Sequence, residues 1–256
     1  MAITIKTPED IEMLREGGKR HAFILKELAL MVRPGISTKE IDDRAHALCV
    51  EQGDQPSFLN YKPYGARRAY PASVCISVND AIVHGIPNEN PIVLKEGDIV
   101  SLDMGVTHKG LITDAAITVP VGAVSSEAKS LLSFTKKALD VGLNACRAGG
   151  TTGDIGAAIE DIANKHGYGI VRELAGHGVG YKVHEDPYVP NYGKKGEGAK
   201  LKVGMVIAIE PMFNIGGDDI TLDDDGYTYR TADGSLSAHF EHTVVVTEKG
   251  CEILTK

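Results

Sequence analysis

An α+β fold in two pseudo-symmetric α/β halves, with a mainly antiparallel sheet covered by helices, is what this sequence predicts, and three observations carry it. Helical periodicity opens each half of the chain and strand periodicity closes it. Several segments of the second half repeat segments of the first, position by position. The closing strands of both halves put aliphatic residues on one face and carboxylates on the other, the pattern of a sheet with one packed side. A single domain over residues 1–256 is expected, with internal halves of about 7–123 and 124–256.

The elements follow in order. Thr7 followed by Pro8 reads as an N-cap with proline at the first helical position, and Ile11, Leu14, Leu25, Leu28 and Val32 then recur at helical spacing. Ser37 and Glu40 form a capping-box pattern that opens a second helix through Ile41, Ala45 and Leu48. Strands are predicted near 73–78, 97–106 and 111–119. From Ser125 the order begins again, with Leu131, Thr135, Ala138, Leu139 and Leu143 on one helix and Ile155, Ala158, Ile159 and Ile162 on the next. Strands near 203–210 and 239–246 close the chain.

Composition narrows the setting. The 256 residues are 43% hydrophobic and 24% charged, the proportions of a globular chain able to bury one substantial core. No basic segment leads into an apolar run at the start, and no uninterrupted apolar stretch of about 18 residues occurs anywhere, so a soluble, cytoplasmic protein is expected. Cys49, Cys75, Cys146 and Cys251 lie far apart without a CxxC pair, which predicts reduced, mostly buried thiols. A net charge of -8 argues against a protein whose main business is coating nucleic acid.

The repeat gives the carboxylates their meaning. LKEGDIVSLD, ending at Asp103, lies beside LKVGMVIAIE, ending at Glu210; TDAAITV, containing Asp114, lies beside FEHTVVV, containing Glu241; and RPGISTKEI resembles RAGGTTGDI upstream. The offset between copies drifts, which requires insertions and deletions. Strand alternation sets Ser101 and Asp103 opposite Val100, Leu102 and Met104, and Glu210 opposite Ile207 and Ile209. Left ionised and unpaired on a packed sheet, each acid would cost several kcal/mol. Arg or Lys partners from elsewhere in the fold, shared protons and metal are the ways to neutralise them, and the strand segments contain no Arg or Lys, which favours metal. A solvated surface would explain one strand acid more easily than four in register.

Imidazole is at hand as well. His177 and His184 lie in the glycine-rich stretch ELAGHGVGYKVHEDP, and His84 lies in VHGIP; two of the three are followed by glycine, where backbone can approach a ligand closely. A lone histidine is more often a satisfied structural group, but carboxylates joined by imidazole suit Mn, Fe, Co or Zn better than Mg or Ca. The dinucleotide fingerprint, the phosphate-binding Walker loop, the zincin helix and GxSxG are all absent.

The order Asp103, Asp114, His177, Glu210, Glu241, with the aspartates eleven residues apart, resembles that of the dinuclear metallopeptidases of the pita-bread fold. Within that group, CISVNDAIVHGIP, LAGHGVG with a histidine seven residues on, AIEPM and FEHTVVVT are similar to the type I, bacterial-type methionine aminopeptidases, over nearly the whole chain from about residue 5 to about residue 254. The resemblance implies two divalent ions per chain (Co, Mn, Fe or Zn), with Asp114 and Glu241 bridging, Asp103 completing one coordination sphere, and His177 and Glu210 the other. Two such ions roughly 3.5 to 4 Å apart hold and acidify a water that attacks the first peptide bond. Glu210 would then act as general base, His184 as the donor to the developing oxyanion, and His84 as a contact to the scissile amide or the leaving nitrogen.

The same resemblance places the methionine pocket at Phe58, Tyr61, Tyr70, Cys75 and Tyr227, with phenylalanine at Phe58 where the family has cysteine, and a loop over 62–69 longer than in the shortest bacterial members. Asn79 and Ser237 match positions that hold one monovalent Na or K ion in some relatives. The implied substrate is the N-terminal methionine of nascent polypeptides with a small second residue. Arg67 and Arg68 raise a ribosome near the emerging chain as a partner; no membrane association and a monomeric chain are expected. An Xaa-Pro aminopeptidase or prolidase is the alternative with the same ligands, although a first helix near Thr7 leaves no room for the extra N-terminal domain usual there. A non-catalytic binding protein on the same fold, as in relatives that have lost their metal, is a third reading, against which the five intact ligands argue; a structural Ca2+ site would explain the acids but not the three histidines.

Overall fold

The computed structural model describes residues 3–256. Two long helices come first: α1 (Pro8–Met31), opened by a capping box in which Thr7 accepts from the Asp10 amide, and α2 (Thr38–Glu51), capped in the same way by Ser37 and Glu40. Strands β1 (Gln55–Pro56), β2 (Cys75–Val78), β3 (Ala81–Val83), β4 (Ile99–His108) and β5 (Leu111–Pro120) complete the first half. The second half repeats the order with α3 (Ser126–Ala145), α4 (Thr152–His166), β6 (Gly169–Ile170), β7 (Gly176–Gly178), β8 (Glu185–Val189), β9 (Val206–Ile209), β10 (Met212–Asn214), β11 (Ile220–Leu222), β12 (Tyr229–Thr231), β13 (Ser237–His239), β14 (Glu241–Val246) and β15 (Cys251–Ile253).

The main sheet runs β1-β4-β5-β14-β9-β7-β8, with β2 also on β4 and β15 also on β14. Its pairings are antiparallel. The four central strands are thus β4 and β5 from the first half and β14 and β9 from the second, in mirrored order about the β5–β14 contact. One face of this sheet is covered by helices: Val100, Leu102, Met104 and Val106 pack with Leu25, Leu28 and Ile41, while Ile207, Ile209, Val244 and Val246 pack with Leu131, Leu139, Ile155 and Ile159. The acids sit on the other face. This is the pita-bread arrangement expected from the sequence. Among the described residues, no helix is long and apolar enough to cross a membrane.

Where boundaries differ from the sequence pattern, turns are responsible. The strand expected over 203–210 begins only at Val206, because Met205 N donates to Lys202 O at 3.1 Å across a turn with Gly204 at φ +84°. The stretch expected as one strand over 239–246 is two strands in two sheets: β13 joins β10, β14 joins β9 and β5, and Phe240 lies between them. Strands β6, β7, β8, β10, β11 and β12 have only two to five residues each, too few for alternation to mark them in the sequence.

Candidate metal centre

Strand order brings the carboxylates together. Asp103 lies opposite Ala116, Asp114 opposite Gly105, and Glu241 opposite Ala116 on the other side, while Glu210 immediately follows β9, whose Ile209 pairs with His242. Across β4, β5, β14 and β9 the side chains therefore run Asp103, Asp114, Glu241, Glu210, with one pair from each half. Asp114 and Glu241 occupy the middle.

His177 arrives from β7, the strand between β9 and the edge strand β8. It is the central residue of β7, and its flanking glycines let the strand come close: a Cβ on Gly176 would fall 2.3 Å from Ala208 O, and one on Gly178 would fall 2.2 Å from Asp186 O. A carbonyl can only accept, so the 2.9 Å contact from His177 Nδ1 to Gly178 O makes Nδ1 the donor. Nε2 is left with a lone pair, 3.5 Å from Glu210 Oε1 and 3.9 Å from Asp114 Oδ2. Asp114, His177 and Glu241 each offer a ligand atom, all within 4.8 Å of one another.

These are acceptors facing acceptors. Asp114 Oδ1 and Glu241 Oε1 are buried with no hydrogen-bond partner. Desolvation raises all four carboxyl groups in the metal-free chain, Asp103 to about 7 and the others well above their ordinary range, where neighbouring carboxylates add repulsion. Burial lowers His177 to about 3, so its imidazole is neutral and its lone pair available. Unpartnered buried oxygens, a neutral imidazole with its tautomer fixed and no cationic side chain among them suit a divalent cation, which such a set attracts and which removes the cost of burying it.

The remaining residues named from the sequence divide into two groups. His84, His184, Phe58, Tyr61, Tyr70, Cys75 and Tyr227 line the same cleft as the five acid and imidazole groups. His84 immediately follows β3 with φ +59°, a left-handed conformation costing a non-glycine residue about 1 to 2 kcal/mol, and burial lowers its pKa to about 4. His184 Nδ1 is 2.9 Å from the Tyr61 hydroxyl, and its ring meets that of His177 edge-on at 4.5 Å. Tyr70 donates to Gly85 O at 2.8 Å and packs edge-on against Tyr227 at 5.2 Å, while burial drives the Cys75 thiol well above its ordinary range and keeps it protonated.

Asn79 and Ser237 lie outside the cleft lining but meet each other, Ser237 N donating to Asn79 O at 2.9 Å. Arg68 is engaged within the fold, with Glu89 at 2.7 Å and Asp225 O at 3.2 Å, which ties down one of the two arginines of the 62–69 loop.

Two contacts beside the cleft are not anticipated from the sequence. His239, two residues before Glu241, places Nε2 3.7 Å from Glu210 Oε2 with neither ring nitrogen hydrogen-bonded; its place in SAHFEH was the available hint. The loop that presents His184 is braced from the other end of the chain. Glu185 accepts from the amides of Tyr181 and Lys182 at 2.6 and 2.9 Å and pairs with buried Lys6 at 2.6 Å, whose ammonium also lies over the Tyr181 ring.

Comparison with known proteins places this geometry in context. Residues 12–248 match the metallopeptidase family M24. The chain is 45% identical over 260 residues to the methionine aminopeptidase of Aquifex aeolicus (strain VF5), covering all of both chains. The crystal structure of methionine aminopeptidase from Thermotoga maritima superposes with a TM-score of 0.94 at 40% identity, again over the full length of both. A prolidase from Pyrococcus furiosus matches with a TM-score of 0.78 at 23% identity, and the chain covers 65% of it, a likeness of fold.

Proposed function

The chain belongs to metallopeptidase family M24, and we propose from its cleft how it carries out the reaction of that family's methionine aminopeptidases, the hydrolytic removal of an initiator methionine from the amino terminus of a polypeptide. The observation that carries the proposal is the convergence of unpartnered acceptors, Asp114 Oδ1, Glu241 Oε1 and His177 Nε2, at the foot of one aromatic-walled cleft.

Members of the family use divalent metal. Asp114 and Glu241, at the centre of the sheet, would be shared between two ions, with Asp103 on one side and His177 and Glu210 on the other. Bound there, divalent metal supplies Lewis acidity and a water acidified towards neutral pH.

The protein's own groups do the rest. Glu210 would be the general base, taking a proton on its carboxylate, and Asn191 Nδ2 donating to its backbone oxygen at 3.0 Å holds the chain at that point. Tyr61 OH lies 2.9 Å from His184 Nδ1; in the tautomer in which the phenol donates, the proton of His184 is on Nε2, and the ring would act as a neutral donor towards the oxygen on which charge develops. His84, held neutral by burial, contacts the scissile amide or its departing nitrogen. Phe58, Tyr61, Tyr70, Cys75 and Tyr227 form an apolar recess for the methionine side chain, and Cys75 remains a neutral thiol against the thioether. Asn79 and Ser237 are a candidate seat for a monovalent cation.

The test is incubation of metal-free protein with Mn2+, Co2+, Fe2+ or Zn2+ and three substrates: Met-Ala-Ser, a Met-Lys peptide and Ala-Pro-Ala. Metal-dependent release of methionine from Met-Ala-Ser alone, abolished by Asp103→Ala, is the expected result. Cleavage of Ala-Pro-Ala alone would move the chain to the Xaa-Pro class.

A further inference from the structure

The two strands that carry the central acids do not pair through that region as a continuous ladder. Glu241 pairs with Ala116 and His242 with Ala115, so the register sets Thr243 opposite Asp114. There the strands part, because the carboxy-terminal segment enters the same edge of β14: Leu254 N donates to Thr243 O at 2.9 Å, and Thr243 N donates to Thr255 Oγ1 at 3.2 Å. β15 then continues on β14 with Ile253 opposite Val244. Both main-chain groups of Thr243 are thus taken by the chain end, and both main-chain groups of Asp114 would lack partners.

The Thr243 side chain fills the gap. Its hydroxyl accepts from Asp114 N at 2.8 Å and donates to Asp114 O at 2.7 Å, so one buried side chain replaces two ladder bonds around a single residue. Asp114 needs such support. One of its carboxylate oxygens has no partner and the other faces His177 at 3.9 Å; the ladder with β4 holds one edge of β5, and on the β14 edge the amide and carbonyl of Asp114 have the Thr243 hydroxyl.

We propose that Thr243 is a positioning residue for the metal centre, its hydroxyl holding the backbone of Asp114, with Leu254 and Thr255 keeping it in that role by occupying its main-chain groups. The inference rests on the reading of Asp114 as a shared ligand. It extends the centre to the chain end, since the last two residues before Lys256 set the fork that makes the side-chain bridge necessary.

Thr243→Val keeps shape and removes both bonds, and Thr243→Ser restores them. The measurement is Mn2+ affinity of each purified variant by equilibrium dialysis, with kcat and KM on Met-Ala-Ser and thermal unfolding of the metal-free protein alongside. Loss of an orienting partner typically costs about 10- to 100-fold in metal affinity. Thr243→Val is expected to bind Mn2+ in that weakened range, with kcat lowered and KM little changed, and Thr243→Ser to return to within about threefold of the parent.

Unchanged Mn2+ affinity in folded Thr243→Val, even with a lower unfolding temperature, would overturn the proposal by reducing Thr243 to a structural residue; equal losses in the Val and Ser variants would overturn it too. If Thr243→Val does not fold, Thr255→Val decides, because it frees the Thr243 amide to compete for Asp114 O: weaker Mn2+ binding supports the proposal and parental binding overturns it. Asp114→Ala serves as the control for the underlying reading, since undiminished Mn2+ binding there would remove Asp114 from the ligand set, whatever Thr243 does.

Discussion

The two halves of the sheet carry equal acid and unequal nitrogen. In the first half β4 and β5 present Asp103 and Asp114, and the strand outside β4 sets Cys75 opposite Asp103. That thiol is driven up by burial and stays protonated, a poor ligand. In the second half β14 and β9 present Glu241 and Glu210, and the strand outside β9 brings His177 with its lone pair turned inwards. The repeated strands supply the carboxylates, while the flanking strand decides whether imidazole joins them. Two metal positions of the kind proposed would therefore be unequal in softness, the His177 side favouring borderline ions and the Asp103 side accepting hard ones.

A second contrast concerns the two cleft histidines. His84, in the first half, is held by its own backbone, in a left-handed conformation immediately after β3. His184, in the second, depends on a brace from the chain start through Lys6 and Glu185. One is preorganised by local strain and the other by a buried ion pair.

The largest effect is expected where the halves meet. Glu241→Gln removes the carboxylate that the proposed centre would share between its two sides and would forfeit several kcal/mol of metal assistance, so kcat/KM on Met-Ala-Ser should fall by about a thousandfold or more. A loss of tenfold or less would show that the centre does not depend on the shared acid. Next is the brace: Lys6→Met leaves Glu185 buried without its cation, a loss of about 3 kcal/mol, which thermal unfolding should register as a Tm lower by about 6 to 12 °C. An unchanged Tm would dissolve the contrast between His84 and His184.

Smaller and more selective is the comparison of His177→Ala with Asp103→Asn. Dialysis against Zn2+ and Mg2+ should show the histidine variant losing Zn2+ affinity by roughly 100-fold with Mg2+ little altered, and the aspartate variant weakened towards both. Equal losses would mean that the two sides are alike after all.

The smallest expected effect is in the metal-free protein as a function of pH. Burial raises Asp103 to about 7 and the other three acids well above their ordinary range, so the folded chain retains protons that the unfolded chain has released. Groups raised in this way contribute stability that is complete below the ordinary carboxylate range and is lost as pH rises through the folded value. Tm should decline by at least about 2 °C between about pH 5 and pH 8, and saturating Mn2+ should abolish the decline because metal takes the deprotonated form. A Tm that rises with pH in the absence of metal would show that the acids are already neutralised by other means.

The sequence by itself determined the order of the four helices and the longer strands, the capping of α1 and α2, the apolar face of the central strands and the repeated placing of Asp103, Asp114, Glu210 and Glu241, because each is written in local spacing. It also carried the resemblance from which the family was read. Only the tertiary structure decided that one expected strand becomes β13 and β14 in separate sheets, that His239 faces Glu210, that Tyr61 holds His184, that Lys6 braces its loop and that Thr243 holds Asp114. The last three contacts join residues 123, 179 and 129 positions apart. Periodicity and capping act over one or two turns of chain, so they fix elements and faces; which polar atoms meet across such separations depends on strand order and register, and these exist only once the two halves have packed.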